Sequence, residues 1–125
     1  MDTHDRAYMQ THLREEIARA RRYGHQFGLL IFEAIPSSDG IPLHGKIAAG
    51  LEALQSAARA CDVAARVYDD AIALLLVETD AHGARDALFR MRNMLARTAG
   101  AWRVTLYHFP EHSRSIEALP LLTAA

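Results

Sequence analysis

Arg59 and Asp62 stand just ahead of a short acidic centre, Tyr68-Asp69-Asp70-Ala71-Ile72, with five residues between the two patterns. A guanidinium is a rigid fork of donors that can bond a phosphate or a flat base edge bidentately and can stack on a ring. At the end of a helix the same arginine could instead meet the last carbonyls, and Asp62 could punctuate the start of a strand. Glu33 closes an apolar run, where an unpaired charge is expensive. It therefore either faces a cleft, with a residual cation site as one use, or meets an arginine. Tyr68, Asp69 and Asp70 are turn residues or a contact surface for a partner. Arg90, further on, is by itself a solvated helix position. His44 and His82 are isolated, and His108 and His112, though four apart, are separated by Pro110, which breaks a helix, so a zinc reading is poor.

The elements that must position these residues follow from apolar periodicity. Between Tyr8 and Tyr23, Met9, Leu13, Ile17 and Ala20 recur at helical spacing, with Arg14, Glu15, Arg19, Arg21 and Arg22 on the other face. Gly24 ends that helix. Phe27 to Ala34 is a continuous apolar run of strand length, expected to be buried on both faces. Pro36, Ser37, Ser38, Asp39, Gly40 and Pro42 then predict an irregular loop. Ile47, Leu51, Leu54 and Ala58 mark a second helix, with Lys46, Glu52 and Gln55 turned outward and Gly50 weakening it. Two apolar runs flanking Asp69 and Asp70 predict a hairpin. Thr79 and Asp80 are candidate caps for a third helix with the stripe Ala84, Ala87, Leu88, Met91 and Leu95. Gly100 closes it, Trp102 to Phe109 alternates as a last strand, and Ser115 to Leu122 has room for one or two helical turns. Met91 and Met94 are core filling.

This order, β-α-β-β-α-β behind a leading helix, predicts an α+β fold with a ferredoxin-like, antiparallel-centred sheet and helices packed on one side. The 125 residues, half of them apolar, suit one domain over 1–125. A formal charge of -1 argues against a nucleic-acid or anionic-membrane surface, despite the local cluster Arg19, Arg21 and Arg22. Cys61 is the only cysteine, which excludes an internal disulfide and a cysteine-rich metal site and suits a reducing compartment. No apolar leader opens the chain, and the longest apolar run, Ala71 to Val77, is too short to span a bilayer. The expectation is a cytoplasmic protein.

Spacing and order resemble the GGDEF domain of diguanylate cyclases, in which Arg-x-x-Asp precedes Gly-Gly-Asp-Glu-Phe at a hairpin tip by five residues. The run Leu13 to Gly24 ahead of an apolar strand looks like the opening of that domain, and Arg6 in Asp5-Arg6-Ala7-Tyr8 matches its Asn-Arg-x-x-Phe-like stretch. In active members a carboxylate ending strand one and the Glu of GGDEF hold two magnesium ions. Glu33 could stand for the first, but Ala71 occupies the position of the second. Tyr68 and Asp69 replace the paired glycines that let the backbone approach the nucleotide. The loop after strand one is shorter than the family's, with only Asp39 as a possible guanine-binding group. The chain also stops before the family's closing helix, so that helix is expected to be truncated.

The resemblance therefore implies a degenerate, non-cyclising regulatory domain that needs no cofactor. Its Arg-x-x-Asp corresponds to the family's inhibitory site, where Arg contacts guanine and phosphate and Asp accepts from guanine. Arg90 stands where a further arginine completes that site. Arg59, Asp62 and Arg90 are thus implied to bind cyclic di-GMP, often as a stacked pair, and to pass the signal to a protein partner or a second copy. Two alternatives remain at this level. One is a ligand-independent interaction or dimerisation module; the other is an enzyme using Glu33 and Asp70 for magnesium.

Overall fold

The computed structural model describes residues 5–36, 40–98 and 100–123. Helix α1 (Arg6–Tyr23) leads into β1 (Phe27–Ala34), and α2 (Leu43–Ala57) precedes the hairpin of β2 (Val63–Tyr68) and β3 (Ala71–Leu76). Helix α3 (Ala81–Thr98), β4 (Trp102–Phe109) and two short helices, α4 (Ser113–Glu117) and α5 (Pro120–Thr123), complete the chain. The four strands form one sheet in the order β2-β3-β1-β4, with every neighbouring pair antiparallel. This is the order expected of the ferredoxin-like plan. Asp39, with Ser37 and Ser38, lies outside the described residues.

Helices do not pack on one side only, as the sequence suggested. Met9, Leu13, Ile17 and Ala20 of α1 cover one face, against Leu29, Ile31, Ala73 and Leu75. Helices α2 and α3 cover the other, where Ile47, Leu54, Ala84 and Met91 meet Leu30, Phe32, Ile72 and Leu74. The reason is in β1: both of its faces are apolar, and each needs a cover to leave water. The C-terminal turns join the α1 layer. Arg6 and Arg14 donate through Nη2 to the Pro120 and Leu122 carbonyls, both at 3.0 Å, and Gln10 Nε2 donates to the Leu121 carbonyl at 2.7 Å. These three α1 side chains satisfy carbonyls that a short terminal helix leaves without partners.

Local chemistry sets the boundaries. Asp5 caps α1 by accepting from the Tyr8 amide at 3.1 Å, and Gly24 ends it at φ 72°. Asp80 takes the equivalent place at α3, accepting from the Gly83 amide at 2.7 Å. Arg66 braces the hairpin tip, donating to the carbonyls of Tyr68 and Asp69 at 3.3 and 3.0 Å.

Lys46 departs from its expected outward position. It is buried, its Nζ donates to the Ile35 carbonyl at 2.8 Å, and it lies 5.6 Å from the centre of the Trp102 ring. A carbonyl and an aromatic face together compensate the ammonium for lost water. Trp102 also explains Gly50. A Cβ added there would stand 2.7 Å from Trp102 Cζ2. Gly50→Ala should therefore lower stability by about 2 kcal/mol in a denaturant titration, although alanine is the better helix former by about 1 kcal/mol.

Candidate functional site

Helix α2 ends where Ala58 turns to an extended conformation, and the next four residues form a turn closed by the Asp62 amide donating to the Arg59 carbonyl at 3.0 Å. That turn folds the Asp62 carboxylate back beneath Arg59. Oδ2 accepts from the Arg59 amide at 3.1 Å and from its Nε at 3.0 Å. Oδ1 accepts from Arg59 Nη2 at 2.8 Å and from the Val77 amide at 3.3 Å. Nη2 reaches on to the Val77 carbonyl at 3.0 Å and the Thr79 hydroxyl at 2.8 Å. Among the described residues, Arg59 Nη1 makes no hydrogen bond. Hydrogen bonding to Asp62, and secondarily its charge, hold the guanidinium above its ordinary pKa against the opposing pull of burial.

The two charges sit differently. The Asp62 side chain is 2 % exposed and that of Arg59 is 52 % exposed. Asp62 thus works as an internal clamp that fixes the plane of a guanidinium presented to solvent. Asp62→Ala should lower stability by about 2 kcal/mol, because the Arg59 and Val77 amides lose their acceptor while Arg59 itself can turn to water. Chemical denaturation measures this directly, and an unchanged midpoint would remove the clamp role.

Arg59 and Asp62 line a cleft of about 790 Å3 between α1, the end of α2 and the β2–β3 pair. Its other wall is α1, through Tyr8, His12, Glu15, Glu16 and Arg19. Tyr8 and His12 place their ring centroids 4.4 Å apart. Glu16 is 4 % exposed; its Oε1 takes Arg19 Nη1 at 2.9 Å, whereas Oε2 is buried with no partner among the described residues. A buried acceptor without a donor costs about 1–3 kcal/mol. Neither Glu16 nor Thr79 was read as a site residue from sequence. Glu16 had a visible signal: it lies at i+3 from Leu13, on the apolar stripe of α1.

Arg90 is exposed on α3 and does not line this cleft. The hairpin residues lie elsewhere, at the far end of β1. Glu33, Tyr68 and Asp70 line a pocket of about 170 Å3 closed by Leu119 and Pro120. Glu33 stands opposite Ala71 of β3 and Arg103 of β4 in the register. Ala71 is fully buried, and Asp69 and Asp70 are exposed. The Tyr68 hydroxyl is buried without a partner among the described residues, and Arg6 lies 5.4 Å from the centre of its ring. Among the described residues, no three His, Cys, Asp or Glu side chains group to hold a metal ion.

No protein-family model matches the sequence, and no curated protein does. Solved structures do match. A diguanylate cyclase protein from Thermotoga maritima superposes with a TM-score of 0.72 at 16% identity, over 88% of this chain and 84% of that one. A sensory box/GGDEF family protein from Caulobacter crescentus gives 0.71 at 24% identity, over 96% and 85%. PelD from Pseudomonas aeruginosa, in complex with c-di-GMP, gives 0.65 at 21% identity, and this chain spans 94% of its own length but 44% of that one. The chain therefore has the fold of GGDEF domains, with the four-stranded antiparallel sheet at its centre. Among the described residues, no helix is long and apolar enough to cross a membrane.

Proposed function

We propose that this GGDEF-like domain does not cyclise GTP and serves as a receptor for cyclic di-GMP in the cleft at Arg59. The observation that carries the reading is the Arg59–Asp62 clamp, which leaves Nη1 unbonded on a half-exposed guanidinium lining a cleft within the usual ligand range of roughly 300–1,000 Å3. A cyclic dinucleotide offers phosphates and guanine O6 and N7, all acceptors that suit a fixed guanidinium. Asp62 acts here by orienting Arg59. Arg90, outside this cleft, belongs to the site only where a second, stacked ligand molecule reaches it, and the calorimetric stoichiometry should then fall in Arg90→Ala.

The other end of the sheet supports the non-cyclising reading. Buried Ala71 supplies no oxygen opposite Glu33, and Tyr68 with Asp69 occupies the place of the glycines that admit a nucleotide. A receptor of this kind would work in the cytoplasm through a protein partner or a second copy. Its first test is thermal. Cyclic di-GMP at about 100 times its dissociation constant should stabilise the fold by about 2.7 kcal/mol. GTP with magnesium should yield no cyclic product over hours, and product formation lost in Glu33→Ala would overturn the non-cyclising reading.

A further inference from the structure

We infer that the outer edge of β4 pairs antiparallel with β4 of a second copy, joining two four-stranded sheets into one; the inference stands apart from the cyclic di-GMP reading. The hydrogen bonds fix which groups this edge offers. In an antiparallel ladder a residue turns its N–H and C=O both toward a given neighbour or both away from it, and the two cases alternate along the strand. Ala101 turns toward β1, since its carbonyl accepts from the Ile35 amide at 3.2 Å. His108 turns away: its amide donates to His112 Nδ1 at 2.9 Å and its carbonyl accepts from the His112 amide at 2.7 Å. With the β1–β4 register unbroken from Trp102 to Phe109, Trp102, Val104 and Leu106 share the outward phase of His108. The turn back to His112 closes the edge at His108, and among the described residues no hydrogen bond meets the backbone groups of the other three.

Unpaired strand edges are normally guarded against other chains. β4 runs eight residues with neither proline nor bulge, whereas β2, at the opposite edge, carries an irregularity between Arg66 and Tyr68. A second copy fits β4 because the outward groups are self-complementary. Turned about a two-fold axis at Val104, each Val104 faces its counterpart and Trp102 faces Leu106 of the second copy, which makes about six N–H to C=O bonds. This register sets the filled position at His108 opposite Gly100, beyond the end of the strand, so the His112 ring does not obstruct the pairing. The side chains agree with it. Trp102, Val104 and Leu106 belong to the apolar layer beneath α2 and α3, and Val104 and Leu106 are only partly buried there. Pairing covers both, while Arg103 stands opposite Thr105 on the other face. A foreign extended peptide would have to reproduce this alternation of apolar and polar positions; a second copy supplies it by identity. The cleft at Arg59 borders β2, at the far edge of the sheet, and stays open in such a dimer.

Sedimentation of the full chain between about 5 and 500 μM, with no ligand added, should show the mass rise from one copy toward two. The midpoint should fall at roughly 100 μM, because a single strand edge buries less than a standard interface. Val104→Pro removes an outward N–H that no bond within the chain uses, so it should stay folded and remain monomeric over the same range. Hydrogen exchange of the unaltered chain gives a second readout. The Val104 and Leu106 amides should exchange about threefold more slowly, or slower still, at the high concentration, while those of Arg103 and Thr105, bonded to β1, are protected at both. A chain that stays monomeric throughout overturns the inference and leaves the receptor reading untouched. A folded Val104→Pro that still dimerises also overturns it, since another surface then holds the copies together. If Val104→Pro fails to fold, the exchange of Val104 and Leu106 decides, and rates independent of concentration overturn the inference.

Discussion

Arg59→Ala is expected to abolish detectable binding of cyclic di-GMP, weakening it by roughly 100-fold or more. That magnitude corresponds to two charge-assisted hydrogen bonds at about 1.5 kcal/mol each, the lower end of their range. Loss of binding alone would be ambiguous, because the alanine also strands the buried Asp62 carboxylate. Removing one partner of a fully buried pair costs about 3–5 kcal/mol; with Arg59 half exposed, a cost of about 2 kcal/mol is the fitting expectation. Arg59→Lys separates the two effects. It keeps the charge near Asp62 but lacks the planar fork, so it should stay folded and still lose about tenfold in affinity. Full affinity in Arg59→Lys would show that charge alone is being read and would remove the fork from the account.

Leu74→Ala should destabilise the domain by about 3 kcal/mol or more and lower Tm by roughly 10 °C. Leu74 is fully buried on β3, an inner strand of the sheet, with Leu30 and Ala64 opposite it in the two registers. It packs in the cluster beneath α2 and α3, so a void left there adds a cavity cost to the transfer cost. The residue directly after this strand is Val77, whose amide and carbonyl meet Asp62 and Arg59. Weakening β3 therefore also loosens the clamp, and ligand affinity should fall with stability. A melt unchanged within about 1 kcal/mol would contradict the packing described for this face.

The strands were legible because their signals are local. Phe27–Ala34 and Trp102–Phe109 begin and end where the apolar patterns do, and Pro110 and the turn at Asp69 and Asp70 supply the punctuation. The helices were legible to within a turn. Asp5 caps α1 a full turn ahead of Met9, the first position of its apolar stripe, so the cap has no apolar signal beside it. Charged residues were harder to place. Lys46 and Glu16 are buried, yet a lysine or glutamate in a helix is assigned to solvent unless its long-range partner is known. For Lys46 that partner, Trp102, comes from a distant segment.

Arg59 and Asp62 were visible as a spaced pair, but their division of labour was not. Spacing gives no sign that the carboxylate is filled by Val77 and by Arg59 itself. The fixed distance in sequence from Arg59 to Arg90 likewise does not reveal that Arg90 lies outside the cleft, on a helix that packs against the sheet face opposite α1. The replaced hairpin residues were the clearest part of the reading, since Ala71 lacks a carboxylate in any fold. The register adds that this alanine stands directly opposite Glu33.

The central claim is that the cleft at Arg59 takes cyclic di-GMP. Titrating the purified chain with cyclic di-GMP in a calorimeter, beside GTP with magnesium, tests it most directly. Saturable heat with a dissociation constant of about 1 μM or tighter, and none with GTP, is the predicted result. An absence of heat with cyclic di-GMP at concentrations well above that value would contradict the receptor reading and leave the GGDEF fold here as a scaffold for contacts with other proteins.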